Sequence, residues 1–261
     1  MNHATATRLW SLEAPTITVD WSQMVIGGSG PVTIPVPSFL IEHPKGLVLF
    51  DTGFNPDAAG APEEIYGGLA TAFDMQFARD VSIEETLKKR GFSRADIKWV
   101  VVSHLHFDHA GGALQFPNAT LVLGPGEFAN AHDPQPSGAA FYTGVDLGLA
   151  KQQKWLHIPY GTFDMFGDGS LVVHHTPGHT PGQLSLVVKL PHRNFILTGD
   201  TAHGRRGLLE DIPNQYDYNT AEAIQSLQRL KVLAAELEAS VWVSHDPEDW
   251  ADFHNGGNAH E

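Results

Sequence analysis

The chain alternates short apolar runs with turns through its first half. PSFLIEH (37–43) and GLVLFDTG (46–53) read as two strands joined by a tight Pro-Lys-Gly turn. From Ser82 to Arg90 the pattern SIEETLKKR predicts a helix, with Ser82 as N-cap, Glu85 three residues on and Gly91 at its C-terminal end. WVVVSH (99–104) is a continuous apolar run of the kind that suits a strand buried on both faces, and TLVLG (120–124) is another short strand. The second half repeats the theme, with strands at SLVVHHT (170–176), QLSLVVKL (183–190) and NFILTGD (194–200) separated by Gly/Pro turns. Residues 220–237 place Ala223, Ile224, Leu227, Leu230, Leu233 and Leu237 at helical spacing, and SVWVSHD (240–246) closes the pattern with a strand. Two strand-rich halves, each carrying helices, predict an α+β sandwich with sheets inside and helices outside.

Two stretches break this rhythm. Residues 54–80 are irregular, with Gly60, Pro62, Gly67 and Gly68 among apolar side chains, and 127–150 contain AHDPQPSGAA. Long loops of this kind line sites or interfaces. The first is a candidate dimer surface, and the second reads equally as a surface excursion. No short internal repeat and no Gly/Ser-rich linker divides the 261 residues, which suffice to bury a substantial core, so a single domain over 1–261 is expected.

Composition then narrows the chemistry. No run approaches the roughly 18 apolar residues that a membrane span requires. The start, MNHATATRLWSLEAP, has neither a basic leader nor an apolar signal core, and a cytoplasmic protein is expected. A net charge of −14, from 30 acidic and 16 basic residues, repels phosphate backbones, and no Lys/Arg cluster relieves it. A nucleic-acid partner is therefore disfavoured. The absence of cysteine removes disulfides, thiol nucleophiles and sulfur-ligated metals, so any metal must be held by imidazole and carboxylate. Fifteen histidines are a high count for this length and hint at such chemistry.

The strongest signal is His104-Leu105-His106-Phe107-Asp108-His109, followed by Ala110-Gly111-Gly112. Four ligand-type residues fall within six positions at the end of an apolar strand, where alternation along an extended backbone lets His104 and His106 converge. The following turn then brings Asp108 and His109 to a second centre. Downstream, His179 sits between two Pro-Gly turns in TPGHTPG (176–182), Asp200 ends NFILTGD, and His245 ends VWVSHD. Each is a ligand-type residue delivered by an apolar strand, and a lone carboxylate there is costly to bury unless paired or metal-bound.

SHLHFDHAGG (103–112), TPGHTPG, GDT (199–201) and GLVLFDTG together resemble the metallo-β-lactamase superfamily, in order and spacing, over roughly residues 36–246. That resemblance implies an αββα sandwich of two central mixed sheets flanked by helices, with a dinuclear site at one edge. By position it assigns His104, His106 and His179 to one metal, Asp108, His109 and His245 to the other, and Asp200 as the bridge. Asp51 matches a carboxylate beside the metal loop that orients a ligand, and it reads otherwise as a turn residue with Thr52 and Gly53. Within the superfamily, IPVPSFLIE (34–42), HLHFDHAGG, TPGHTPGQLSL (176–186) and SHD (244–246) are most similar to the quorum-quenching N-acyl-homoserine lactone lactonases. Such lactonases often carry a tyrosine three residues after the bridging aspartate, where this chain has His203.

The implied activity is hydrolysis of a small lactone by a metal-bridging hydroxide, with two divalent ions, zinc by ligand type. Asp108 is the candidate proton shuttle and His203 the candidate hydrogen-bond donor to the carbonyl. Met24, Val25, Ile26, Phe107 and the aromatics of 66–77 are candidates for an apolar wall, or for ordinary core. The alternative is a hydrolase of another ester, lactone or thioester, glyoxalase-II-like. For that reading Arg205 and Arg206 would grip an anionic substrate, although they read equally as a solvated loop.

Overall fold

Thirteen strands are formed in the computed structural model, which describes residues 5–143 and 154–261. They are Arg8–Ser11 (β1), Thr16–Asp20 (β2), Pro31–Pro35 (β3), Phe39–Glu42 (β4), Leu47–Phe50 (β5), Ile97–Val101 (β6), Thr120–Leu123 (β7), Lys154–His157 (β8), Thr162–Asp164 (β9), Leu171–His175 (β10), Leu184–Lys189 (β11), Asn194–Leu197 (β12) and Ala239–Trp242 (β13). One sheet has the order β1-β4-β5-β6-β7-β8 and the other β13-β12-β11-β10-β9, while β2 and β3 form a separate ribbon. Both large sheets are mixed. β5, β6, β7 and β8 run parallel beside the antiparallel β1–β4–β5, and the parallel β12–β13 pair adjoins antiparallel neighbours.

Alternation along each strand explains the layers. Phe39, Ile41, Val48, Phe50 and Val101 point between the sheets and meet Leu171, Val173, Leu184, Leu186, Phe195 and Trp242 from the other side. Their neighbours Leu40, Leu49, Val100 and Leu121 point outward and are covered by Ile83 and Leu87 of the helix Ile83–Lys89. Val187 and Ile196 of the second sheet point outward beneath Leu230 and Leu233 of the helix Thr220–Leu237. The result is the expected αββα sandwich. Both faces of the central strands are buried, which is why they read as unbroken apolar runs.

Several boundaries differ from the expectation. The strand around 99–104 begins at Ile97 and ends at Val101, so His104 and His106 lie beyond it and do not converge through strand alternation. Ladder pairing stops because Ser103 N donates to Asp51 Oδ1 at 2.7 Å. The helix after Ser82 forms as expected, but the Ser82 side chain makes no capping hydrogen bond. Residues 54–80 are not simply irregular, since they contain short helices at Pro62–Tyr66 and Gly68–Ala72. Tyr66, Ala70, Met75 and Phe77 turn inward onto Phe54 and Phe107. Pro62 begins the first of these helices, where its missing N–H costs nothing. Within 127–150, residues 127–132 form a helix, and 144–150 lie outside the described residues. No helix among the described residues is long and apolar enough to cross a membrane.

Candidate metal centre

The two sheets present one common edge. β5 and β6 end there in one sheet, and β10, β12 and β13 end there in the other. Leu184 N donates to Ser103 O at 2.9 Å across that edge. Beyond β6 the chain passes through His104 and His106, then makes the helical turn Phe107–Ala110, which carries Asp108 and His109. His179 follows β10 on a loop docked against the long helix. Ser226 Oγ donates to Pro177 O at 2.6 Å, and Asn219 N donates to Gly178 O at 2.9 Å. Gly178 adopts φ +144°, and a Cβ there would lie 2.3 Å from the Ala223 backbone, so only glycine lets this loop seat so closely. Asp200 and His203 follow β12, and His245 follows β13.

All eight sequence-predicted side chains converge. Donor atoms of His104, His106 and His179 form one group within ligand-sharing distance, and those of Asp108, His109 and His245 form another. Asp200 lies between them. Its Oδ1 is 3.1 Å from His109 Nε2 and 3.2 Å from His245 Nε2, while its Oδ2 is 3.5 Å from His179 Nε2 and 3.9 Å from His104 Nε2. His203 Nε2 is 3.0 Å from the same Oδ2. All are buried.

The donor atoms are oriented for a cation rather than for one another. His109 Nε2 and His245 Nε2 face each other at 3.1 Å, as do His179 Nε2 and His106 Nδ1. His104 Nε2 is buried without a hydrogen-bond partner, an arrangement that costs about 1–3 kcal/mol if nothing satisfies it. The opposite ring nitrogens are fixed. His109 Nδ1 is 2.8 Å from Asp51 Oδ2, His179 Nδ1 is 3.1 Å from Asp217 Oδ1, and His245 Nδ1 donates to Pro35 O at 2.8 Å. A proton on each of these Nδ1 atoms leaves the Nε2 lone pair for a metal. The donor set therefore fits a metal ion.

Electrostatics agree. Burial first, and then the neighbouring imidazoles, hold His104 and His106 well below the usual histidine range, in the neutral form that binds metal. Burial opposes charge on His109 too, but Asp200, Asp108 and Asp51 overrule it and hold that imidazole well above its usual range. Burial would likewise raise the Asp200 carboxyl, yet His109, His203 and His245 hold it well below the usual carboxylate range.

Asp51 has φ +59°, uncommon for a residue other than glycine, and it spends its two oxygens on Ser103 N and His109. Its turn and its contact with the His109 ring are thus one feature.

The sequence pattern of the metallo-beta-lactamase superfamily matches residues 32–239. The chain belongs to the metallo-beta-lactamase superfamily. Among curated members of it, the N-acyl homoserine lactonase AttM of Rhizobium radiobacter is 35% identical over 256 residues, covering 94% of this chain and 95% of that protein. A solved N-acyl homoserine lactone hydrolase with the product N-hexanoyl-L-homoserine bound at its catalytic metal centre superposes with a TM-score of 0.85. It is 22% identical and covers 98% of this chain and 100% of its own. The dizinc quorum-quenching lactonase AidC, in complex with the same product, superposes at 0.69 with 16% identity, covering 94% of this chain and 91% of its own. These two structures support the fold of this superfamily member.

Beside the donor atoms lies a narrow pocket of about 40 Å³ that opens toward solvent. Its lining combines His106, Asp108, His179, Asp200, His203 and His245 with the apolar Ile17, Met24, Ile34, Phe73, Phe107 and Phe141, and with Asn214 and Tyr216. Of the apolar candidates, Met24, Phe107 and Phe73 face the cavity, Val25 packs in the core behind it, and Ile26 is exposed and not part of the wall. Sequence reasoning missed Asp217, Pro35, Ile17, Ile34 and Phe141. The β2–β3 ribbon that brings three of these alternates polar and apolar residues in TITVD (16–20), a half-buried strand signal that was there to be found.

Proposed function

We propose that this superfamily hydrolase opens the lactone ring of N-acyl-homoserine lactones, releasing the ring-opened hydroxy acid. The cavity carries the reading. Its lining offers metal-binding and proton-transferring groups to a polar ring and, beside them, aliphatic and aromatic surface to an acyl chain. Near full-length likeness to the lactonase AttM supports the same substrate class.

His104, His106 and His179 would hold one ion, Asp108, His109 and His245 the other, and Asp200, with one oxygen toward each group, would be shared. Asp51, Asp108, Asp200 and Asp217 are four carboxylates in this cluster, whose charge two divalent ions would balance. Imidazole and carboxylate donors suit zinc. Divalent ions bound there polarise a carbonyl and bring the pKa of water to about 7, so that hydroxide is available at neutral pH.

The chain's own residues do the rest. Water oxygen adds to the lactone carbonyl carbon, the bond from that carbon to the ring oxygen breaks, and a proton must reach the departing alkoxide. The Asp108 carboxylate lines the cavity, with Oδ2 3.7 Å from both His109 Nε2 and His245 Nε2, and is placed to move that proton. The His203 imidazole, held beside Asp200, donates a hydrogen bond to the carbonyl oxygen as charge builds there. Ile17, Phe73, Phe107 and Phe141 exclude water around the acyl chain.

The thioester alternative loses its anion grip. Arg205 Nε donates to Asp249 Oδ1 at 2.6 Å and Nη2 to Asp252 at 2.8 Å, while Arg206 pairs with Glu210 at 3.1 Å. Both sit at the start of the helix Arg205–Glu210 rather than in a loop; Arg205 is half-buried among acidic side chains, and Arg206 is solvent-exposed beside Glu210. A pH-stat comparison decides between the substrates. Acid release is expected from homoserine lactones carrying acyl chains and not from a glutathione thioester, and the reverse would overturn the assignment. In the same assay His203→Ala should lower kcat with metal content unchanged, and unaltered kinetics would remove His203 from the site.

A further inference from the structure

Glu127 is fully buried at the start of the helix Glu127–His132, directly after β7, and among the described residues no lysine or arginine pairs with it. A carboxylate in that position is costly unless hydrogen bonds satisfy it. Oε1 accepts from Leu105 N at 2.9 Å and Oε2 from Gly182 N at 3.1 Å. Leu105 lies between His104 and His106, and Gly182 lies three residues beyond His179. The Tyr142 hydroxyl donates to Oε1 at 3.2 Å and accepts from Asn130 at 2.7 Å, and the Tyr142 ring packs edge-on against His106 at 4.6 Å. The junction has no slack. A Cβ on Gly182 would lie 2.3 Å from Glu127 Cβ.

We propose that Glu127 is a positioning residue whose carboxylate ties the His104/His106 loop to the His179 loop and so sets the spacing of the three imidazoles at one metal position. Its two oxygens take one backbone N–H from each loop, and Tyr142 braces both the carboxylate and the His106 ring. The proposal rests on the metal-centre reading above. Glutamine at this position keeps the shape but turns an amide N–H₂ toward one of the two donors, so one loop loses its anchor.

Zinc binding, followed by competition with a chromophoric chelator on metal-stripped protein, tests this. Wild-type protein should bind two ions. Glu127→Gln should weaken one binding step about 10- to 100-fold, the range typical when a hydrogen-bond partner behind a metal ligand is lost. The other step should be unchanged. Tyr142→Phe should weaken the same step by less. Circular dichroism of the metal-free proteins separates this from a purely structural role, which would lower the unfolding temperature and leave both affinities intact. If Glu127→Ala does not fold, Glu127→Gln and Tyr142→Phe carry the test. Folded Glu127→Gln that binds both ions like wild type overturns the proposal alone, whereas wild-type protein that binds no zinc overturns it together with the metal-centre reading.

Discussion

His106→Ala is expected to lose bound metal and lactone-opening activity together. His106 is buried, its Nδ1 faces His179 Nε2 at 3.1 Å, and it shares a donor group with His104. Alanine removes one of three imidazoles from that group and leaves the others pointing at a gap. Metal ions supply several kcal/mol of charge stabilisation, and about 1.4 kcal/mol is a factor of ten, so kcat/KM should fall about a thousandfold or more. Elemental analysis and a ring-opening assay on one sample read both effects. Full turnover with full metal content would take His106 out of the ligand set.

The second large effect concerns proton transfer. Asp108→Asn keeps size and a carbonyl oxygen but cannot carry the proton to the departing alkoxide, and a loss of about 10²- to 10⁴-fold in kcat is expected. A thiolactone separates this role from metal binding, because a thiolate leaves without first being protonated. The variant's deficit should therefore shrink markedly on homoserine thiolactone at equal metal content. An equal deficit on both substrates would contradict the proton-transfer role.

The parts legible in the sequence are those where one physical constraint dominates. β5, β12 and the C-terminal half of β6 are buried on both faces, and their apolar runs announce this. The helix Thr220–Leu237 follows its periodicity to the residue, opened by the Asn219 cap. The seven candidate ligands stood out because ligand-type residues crowd the ends of β6, β10, β12 and β13. What the sequence obscured depends on tertiary contact. His104 and His106 converge through a loop held by Asp51 and Glu127, not through strand pleating. Asp217 and Pro35 O reach His179 and His245 from distant segments, with no local pattern to mark them. The helices of 54–80 are five residues each, too short for periodicity to register, and owe their form to packing on Phe107.

If buried imidazoles and carboxylates gather divalent metal to make this hydrolase, metal content and turnover stand or fall together. Metal per chain, measured on purified protein alongside acid release from an acyl-homoserine lactone before and after chelation, tests it most directly. Close to two ions per chain are expected, with turnover abolished on their removal and restored by zinc. Undiminished turnover from protein stripped of metal would contradict the account.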